Sequence, residues 1–176
     1  MVISDLIGFR TYQALENLYL NLKDIQSESL VKDFRKKDSL AHAKEYGTLK
    51  LTGPRRSGHT TAIKTFVKNQ TMNEKETWAI LTPTLHNASQ YTPFFTKNDS
   101  VNPILKSTKD RFYYNNGSIV LLYGIQSFIN GGRGLELNGI IVDCASFMKR
   151  KQIEEIYNIG IGTMHFKEYV SFIFIE

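Results

Sequence analysis

Cysteine is nearly absent: Cys144 is the only one in 176 residues. No internal disulfide is available, and the chain fits a reducing compartment. No stretch approaches the roughly 20 apolar residues that span a bilayer, so no membrane partner is expected. The opening MVISDLIGFR carries an acid at Asp5 and has no basic-then-apolar run, so it does not read as a signal peptide. Histidine is sparse and scattered. His42, His59, His86 and His165 form no pair with zinc-ligand spacing. No internal repeat, low-complexity tract or serine nucleophile elbow occurs. Cytoplasmic localisation is the expectation.

What is present suits one domain of ordinary size. Hydrophobic residues make up 41% of the chain and charged residues 22%. A net charge of +5 leans mildly toward polyanionic partners. Residues 1–46 read as an N-terminal helical segment, with Leu15, Leu18 and Leu22 at helical spacing. A second helix is expected from Ser27 to just before Gly47. Its basic run VKDFRKK reads as a solvated face, the alternative being contact with nucleic-acid phosphates.

From residue 47 strands and helices alternate. TLKLT, ETWAILTPT, GIIVDCAS and YVSFIFIE read as strands. TTAIKTFVKNQ, HNASQYTPFF and KRKQIEEIYN read as helices. RFYY, NNGS and IVLLYG read as a hairpin. TKNDSVNP and GGRGLELNG read as loops. The alternation predicts an α/β fold with a mainly parallel central sheet flanked by helices. The aromatics read as core, with Tyr113 and Tyr114 as candidate stacking exceptions. KSTKDR and KRK read as solvated, or as nucleic-acid contacts.

Between the first strand and the next helix lies GPRRSGHTT, residues 53–61. Gly53 and Gly58 have the spacing of a phosphate-binding loop, whose backbone N–H groups cradle phosphates at a helix N-terminus. Pro54, Arg55, Arg56, Ser57, His59, Thr60 and Thr61 complete the candidate nucleotide-binding set. Thr60 stands where a hydroxyl would bind Mg²⁺. His59 stands where a lysine would reach the β- and γ-phosphates. Imidazole is shorter, stiffer and mostly neutral at pH 7, so phosphate binding should be weaker and pH-dependent. Arg55, Arg56 and Lys64 are candidate compensating cations. The plainer alternative is an ordinary glycine turn.

Such a loop works with an apolar strand ending in aspartate, which holds Mg²⁺ through water. GIIVD ends on Asp143, about 80 residues on. The alternative is a carboxylate capping the next helix. A glutamate usually follows and orients the attacking water. Here the residue is Cys144, whose thiol is a poor base beside phosphates.

Four segments in order together resemble the ATPase domain of the large terminase subunit, the DNA-packaging motor of tailed phages and herpesviruses. PRRSGHTT resembles its arginine-bearing phosphate loop, with Arg55 at the distinguishing arginine. WAILTPTLHNASQ resembles the strand and helix that follow. NNGSIVLLYG resembles its hairpin, and GGRGLELNGIIVDCASF its run from an arginine-glycine loop into the aspartate strand. The resemblance spans roughly residues 48–148 and implies a P-loop NTPase of the RecA/ASCE type over residues 47–176. It implies ATP as substrate or ligand and Mg²⁺ as cofactor, held by Thr60 and, through water, Asp143. It gives Arg55 a catalytic role and Gly132, Arg133 and Gly134 a coupling role. Double-stranded DNA, packaging or replication proteins and further copies of the chain are the partners implied. Host cytoplasm is the compartment.

The departures are His59 for lysine, Cys144 for glutamate, and no nuclease domain. Weak hydrolysis is the expectation. The alternative is a catalytically degenerate module that binds DNA or protein. Glu176, and less so Glu136, are the carboxylates that could replace the lost glutamate, against the reading that both simply face solvent.

Overall fold

A computed structural model describes residues 3–27, 39–53, 58–96, 102–162 and 170–176. Within them a seven-stranded sheet has the order β1-β7-β6-β2-β5-β4-β3. The strands are β1 (Thr48–Leu51), β2 (Thr77–Thr82), β3 (Ile104–Ser107), β4 (Arg111–Tyr114), β5 (Ile119–Gly124), β6 (Gly139–Asp143) and β7 (Ser171–Ile175). β1, β7, β6, β2 and β5 are parallel, and β5, β4 and β3 pair antiparallel. This is the mainly parallel α/β sheet that the alternating pattern predicts.

The parallel strands are apolar throughout because helices cover both faces. Their side chains alternate between two cores. Trp78, Ile80, Ile141, Ile173 and Ile175 face one way. There they meet Leu15 and Tyr19 of α1 (Ile3–Ser27), Ile63 and Phe66 of α3 (His59–Asn73), and Tyr91 and Phe95 around α5 (Thr92–Phe95). Ala79, Leu81, Ile140, Val142, Phe172 and Phe174 face the other way. They meet Ala43 of α2 (Ser39–Tyr46), Phe128 of α6 (Ile125–Gly131), and Ile156 and Tyr157 of α7 (Arg150–Gly162). The short α4 (Leu85–Ser89) leads from β2 toward α5. No helix among the described residues is long and apolar enough to cross a membrane.

The expected helix beginning at Ser27 differs from what is found. Ser27 is the last residue of α1, and its hydroxyl donates to the Asp24 carbonyl at 2.7 Å. It closes a helix instead of opening one. Of the VKDFRKK run, residues 31–37, nothing lies within the described residues. Two elements have no strong sequence signal: the exposed edge strand β3 and the seven-residue α6.

The hairpin turn ties the sheet to α3. Asn116 Nδ2 donates to the Thr71 carbonyl at 2.7 Å. Ser118 Oγ lies 3.0 Å from the same carbonyl and 2.9 Å from that of Glu74, and it accepts from the Glu76 N–H at 3.1 Å. The C-terminal carbonyls of a helix lack internal partners, and these two side chains supply them. Tyr114 beside the turn is buried in the core, so it is not a stacking platform.

Candidate nucleotide site

Five parallel strands end along one edge of the sheet, and the helix dipole of α3 starts there. Gly53 follows β1 at this edge. Its N–H donates to the Glu176 carbonyl at 3.1 Å, and the Glu176 N–H donates to the Leu51 carbonyl at 3.0 Å. β7 therefore lies between the loop strand and the aspartate strand, with Ile175 in register with both Leu51 and Asp143. Glu176 is exposed just past this register. Strand alternation sends Ile175 toward the α3 core and the next residue toward the opposite face.

Gly58 opens α3 with φ 78°, a left-handed conformation that glycine adopts without a Cβ penalty. The N-cap residue is a glycine and has no side chain to cap this helix. The first N–H groups of α3 lie at the end where the helix dipole favours an anion. α1 packs against this opening. A Cβ at Gly58 would lie 2.5 Å from the Gly8 Cα, and one at Gly8 would lie 3.0 Å from Thr61 Cγ2. Pro54, Arg55, Arg56 and Ser57 lie outside the described residues.

Asp143, at the end of β6, follows Ile141 by two and so faces the α3 side. Tyr91 Oη donates to its Oδ2 at 2.7 Å. The Thr60 side chain lies close to this phenol. Thr60 and Asp143 are thus brought together through Tyr91, a residue the sequence pattern does not single out. An isolated aromatic has no spacing that reveals a partner 52 residues away. Burial drives the Tyr91 phenol well above its ordinary value, the Asp143 charge adds to this, and Thr60 works against it. The phenol stays protonated and acts as a donor.

His59 is half-buried beside Asp143. Burial lowers its pKa, and the Asp143 carboxylate opposes that only in part. The imidazole is neutral at pH 7 in the nucleotide-free protein. Cys144 is the one non-glycine residue with positive φ among the described residues, at 59°. Its exposed thiol lies 3.6 Å from Asp143 Oδ1. Burial, then the Asp143 charge, raises its pKa, so it remains a thiol. Lys64 Nζ lies 5.4 Å from the Tyr91 ring centroid and 5.9 Å from that of Phe94, which directs it toward α5.

Gly132, Arg133 and Gly134 lie elsewhere. Arg133 and Gly134 line a cleft of about 220 Å³ with Asn158, Ile159 and Gly162. α7 leaves the aspartate edge and runs back for 13 residues, so its end reaches the opposite edge of the sheet. Glu136 is exposed in the same connection before β6. His42 packs on Tyr46 in α2, His86 is exposed on α4, and His165 lies outside the described residues.

A divalent cation fits the donor set at the loop edge. Thr60 and Asp143 supply hard oxygen donors, as Mg²⁺ requires. Among the described residues no three His, Cys, Asp or Glu gather to hold a metal, so a cation here would take most ligands from phosphate and water.

No protein-family model matches the chain, and no curated protein matches it by sequence. Solved structures do match. The large terminase of a thermophilic bacteriophage aligns with TM-score 0.54 and 14% identity, over 81% of this chain and 36% of that one. The same terminase in complex with ATP-gamma-S aligns with TM-score 0.52 and 13% identity, over 80% and 34%. The N-terminal domain of the DNA packaging ATPase from bacteriophage phi29 aligns with TM-score 0.55 and 15% identity, over 80% and 78%. The chain spans about a third of the length of the terminase chains it matches. At these identities the likeness is one of fold, and the fold is that of a terminase-like packaging ATPase domain.

Proposed function

We propose that this chain binds Mg-ATP at the loop edge as the ATPase domain of a phage DNA-packaging apparatus, with weak hydrolysis. The observation that carries this reading is the meeting of Thr60, Asp143 and the glycine-opened N-terminus of α3 at one edge. The terminase relative solved with ATP-gamma-S supports a nucleotide ligand. The phi29 relatives, one of them a packaging motor assembly, support a packaging context with DNA and further subunits as partners.

Gly53 to Thr61 would wrap the phosphates, with backbone N–H groups and the α3 dipole opposing their charge. Arg55 and Arg56 would add positive charge from the loop. Thr60, directly, and Asp143, through water, would hold Mg²⁺, which when bound neutralises the β- and γ-phosphate charge. His59 would take up a proton as the triphosphate arrives, replacing the lysine charge. Hydrolysis also needs a carboxylate to orient water. Cys144 cannot serve, and Glu176, the carboxylate at the same edge, is sent by strand parity to the opposite face, which accords with weak hydrolysis.

ATP hydrolysis by the wild type and by the double variant His59→Lys/Cys144→Glu tests this reading, with and without duplex DNA. The variant should hydrolyse ATP at least tenfold faster, because both substitutions act on an intact frame. A double variant that folds, yet neither binds nor hydrolyses ATP, would remove the nucleotide reading and leave a non-enzymatic accessory module.

A further inference from the structure

Tyr91 is 1% exposed and rigidly held. Its N–H donates to the Ala88 carbonyl at 3.0 Å, and its own carbonyl accepts from Phe94 at 3.1 Å and Phe95 at 3.3 Å. The Lys64 ammonium lies over its ring. The phenol has one proton to give, and Asp143 Oδ2, acceptor-only as a carboxylate, receives it. Thr60 lies close to the same phenol. The Tyr91 bond occupies Asp143 Oδ2, while Oδ1 faces the Cys144 thiol at 3.6 Å. A thiol is a weak donor, which a hard cation displaces from a carboxylate oxygen.

We propose that Tyr91 is a positioning residue whose buried phenol orients Asp143, beside Thr60, as a ligand for a nucleotide-bound Mg²⁺. This rests on the nucleotide-binding reading above. Tyr91 touches neither phosphate nor cation in this role. It acts as the outer support of Asp143, in the way that partners behind metal ligands orient them.

The test uses Tyr91→Phe, which keeps the ring and removes only the hydroxyl. Binding of a fluorescent ATP analogue is measured over a Mg²⁺ titration and in excess EDTA. Loss of an outer partner typically weakens metal affinity by about tenfold or more. The Mg²⁺ concentration at half-maximal binding should therefore rise about tenfold, while binding in EDTA stays within about twofold. A purely structural role would weaken both arms alike. An unchanged or lowered Mg²⁺ midpoint, or equal weakening in EDTA, overturns the proposal. NMR of the wild type gives a measurement that does not depend on the variant folding. The Tyr91 hydroxyl proton should stay protected from exchange when Mg-ATP is bound, and its loss on binding overturns the proposal. If the wild type binds no Mg-nucleotide, the functional reading falls and this proposal with it. If the wild type binds and Tyr91→Phe is indistinguishable from it, only this proposal falls.

Discussion

Replacing Gly58 with alanine separates two costs that the structure keeps distinct. Gly58 has φ 78° and Gly134 has φ 82°, so alanine at either meets the same left-handed strain. That strain is about 1–2 kcal/mol, reduced by about 0.4–1 kcal/mol because alanine also restricts the unfolded chain. At Gly134 a new Cβ meets nothing within 4 Å. Gly134→Ala should therefore cost about 1 kcal/mol, a drop of about 2–4 °C in Tm for a domain of this size. At Gly58 the Cβ would lie 2.5 Å from the Gly8 Cα and 2.8 Å from the Gly8 N. Carbon atoms in contact sit about 3.5–4.0 Å apart, so α1 would have to move by roughly 1 Å. The atoms it meets are backbone, which no rotamer change can relieve. Overpacking of this kind adds about 1–3 kcal/mol. The total for Gly58→Ala is about 3 kcal/mol, or roughly 6–12 °C. Thermal and urea denaturation of both variants measure the difference. Hydrogen exchange should locate the extra loss in α1 and the start of α3. Equal destabilisation of the two variants would refute the close packing of α1 on the loop.

Ser118→Ala should cost about 1–3 kcal/mol in urea denaturation, because it leaves the buried Glu76 N–H without its acceptor and removes a donor to the end of α3. The His59 pKa is lowered by folding, so the unfolded chain binds a proton more readily than the folded one. The resulting stability is complete above about pH 6.5 and is lost as pH falls toward and through the lowered folded value. His59→Gln should flatten that part of the pH–stability curve measured without nucleotide.

The sheet is legible in the sequence where its strands are buried and apolar. GIIVD and ETWAILTPT carry that signal in a few residues, and GPRRSGHTT supplies the glycine that the left-handed start of α3 requires. The edge strand β3 is not legible because an exposed strand has no apolar face to repeat. α6 escapes notice because IQSFING lies against a glycine-rich loop and, among the described residues, has no side-chain cap. Ser27 misleads because the same hydroxyl that opens a helix through an N–H can close one through a carbonyl. At the site, Thr60 and Asp143 are readable as separate motifs. Tyr91, which donates to Asp143 beside Thr60, is not, since its role depends on a fold-level contact and on no local pattern.

The central claim is that a histidine-bearing loop binds Mg-ATP. Calorimetric titration of the wild-type chain with Mg-ATP at pH 6 and pH 8 tests it most directly. His59 is neutral in the free protein. A bound triphosphate favours its protonated form, so binding should take up a proton and be tighter at pH 6 than at pH 8, with His59→Gln losing the difference. Absence of binding at both pH values would contradict the account.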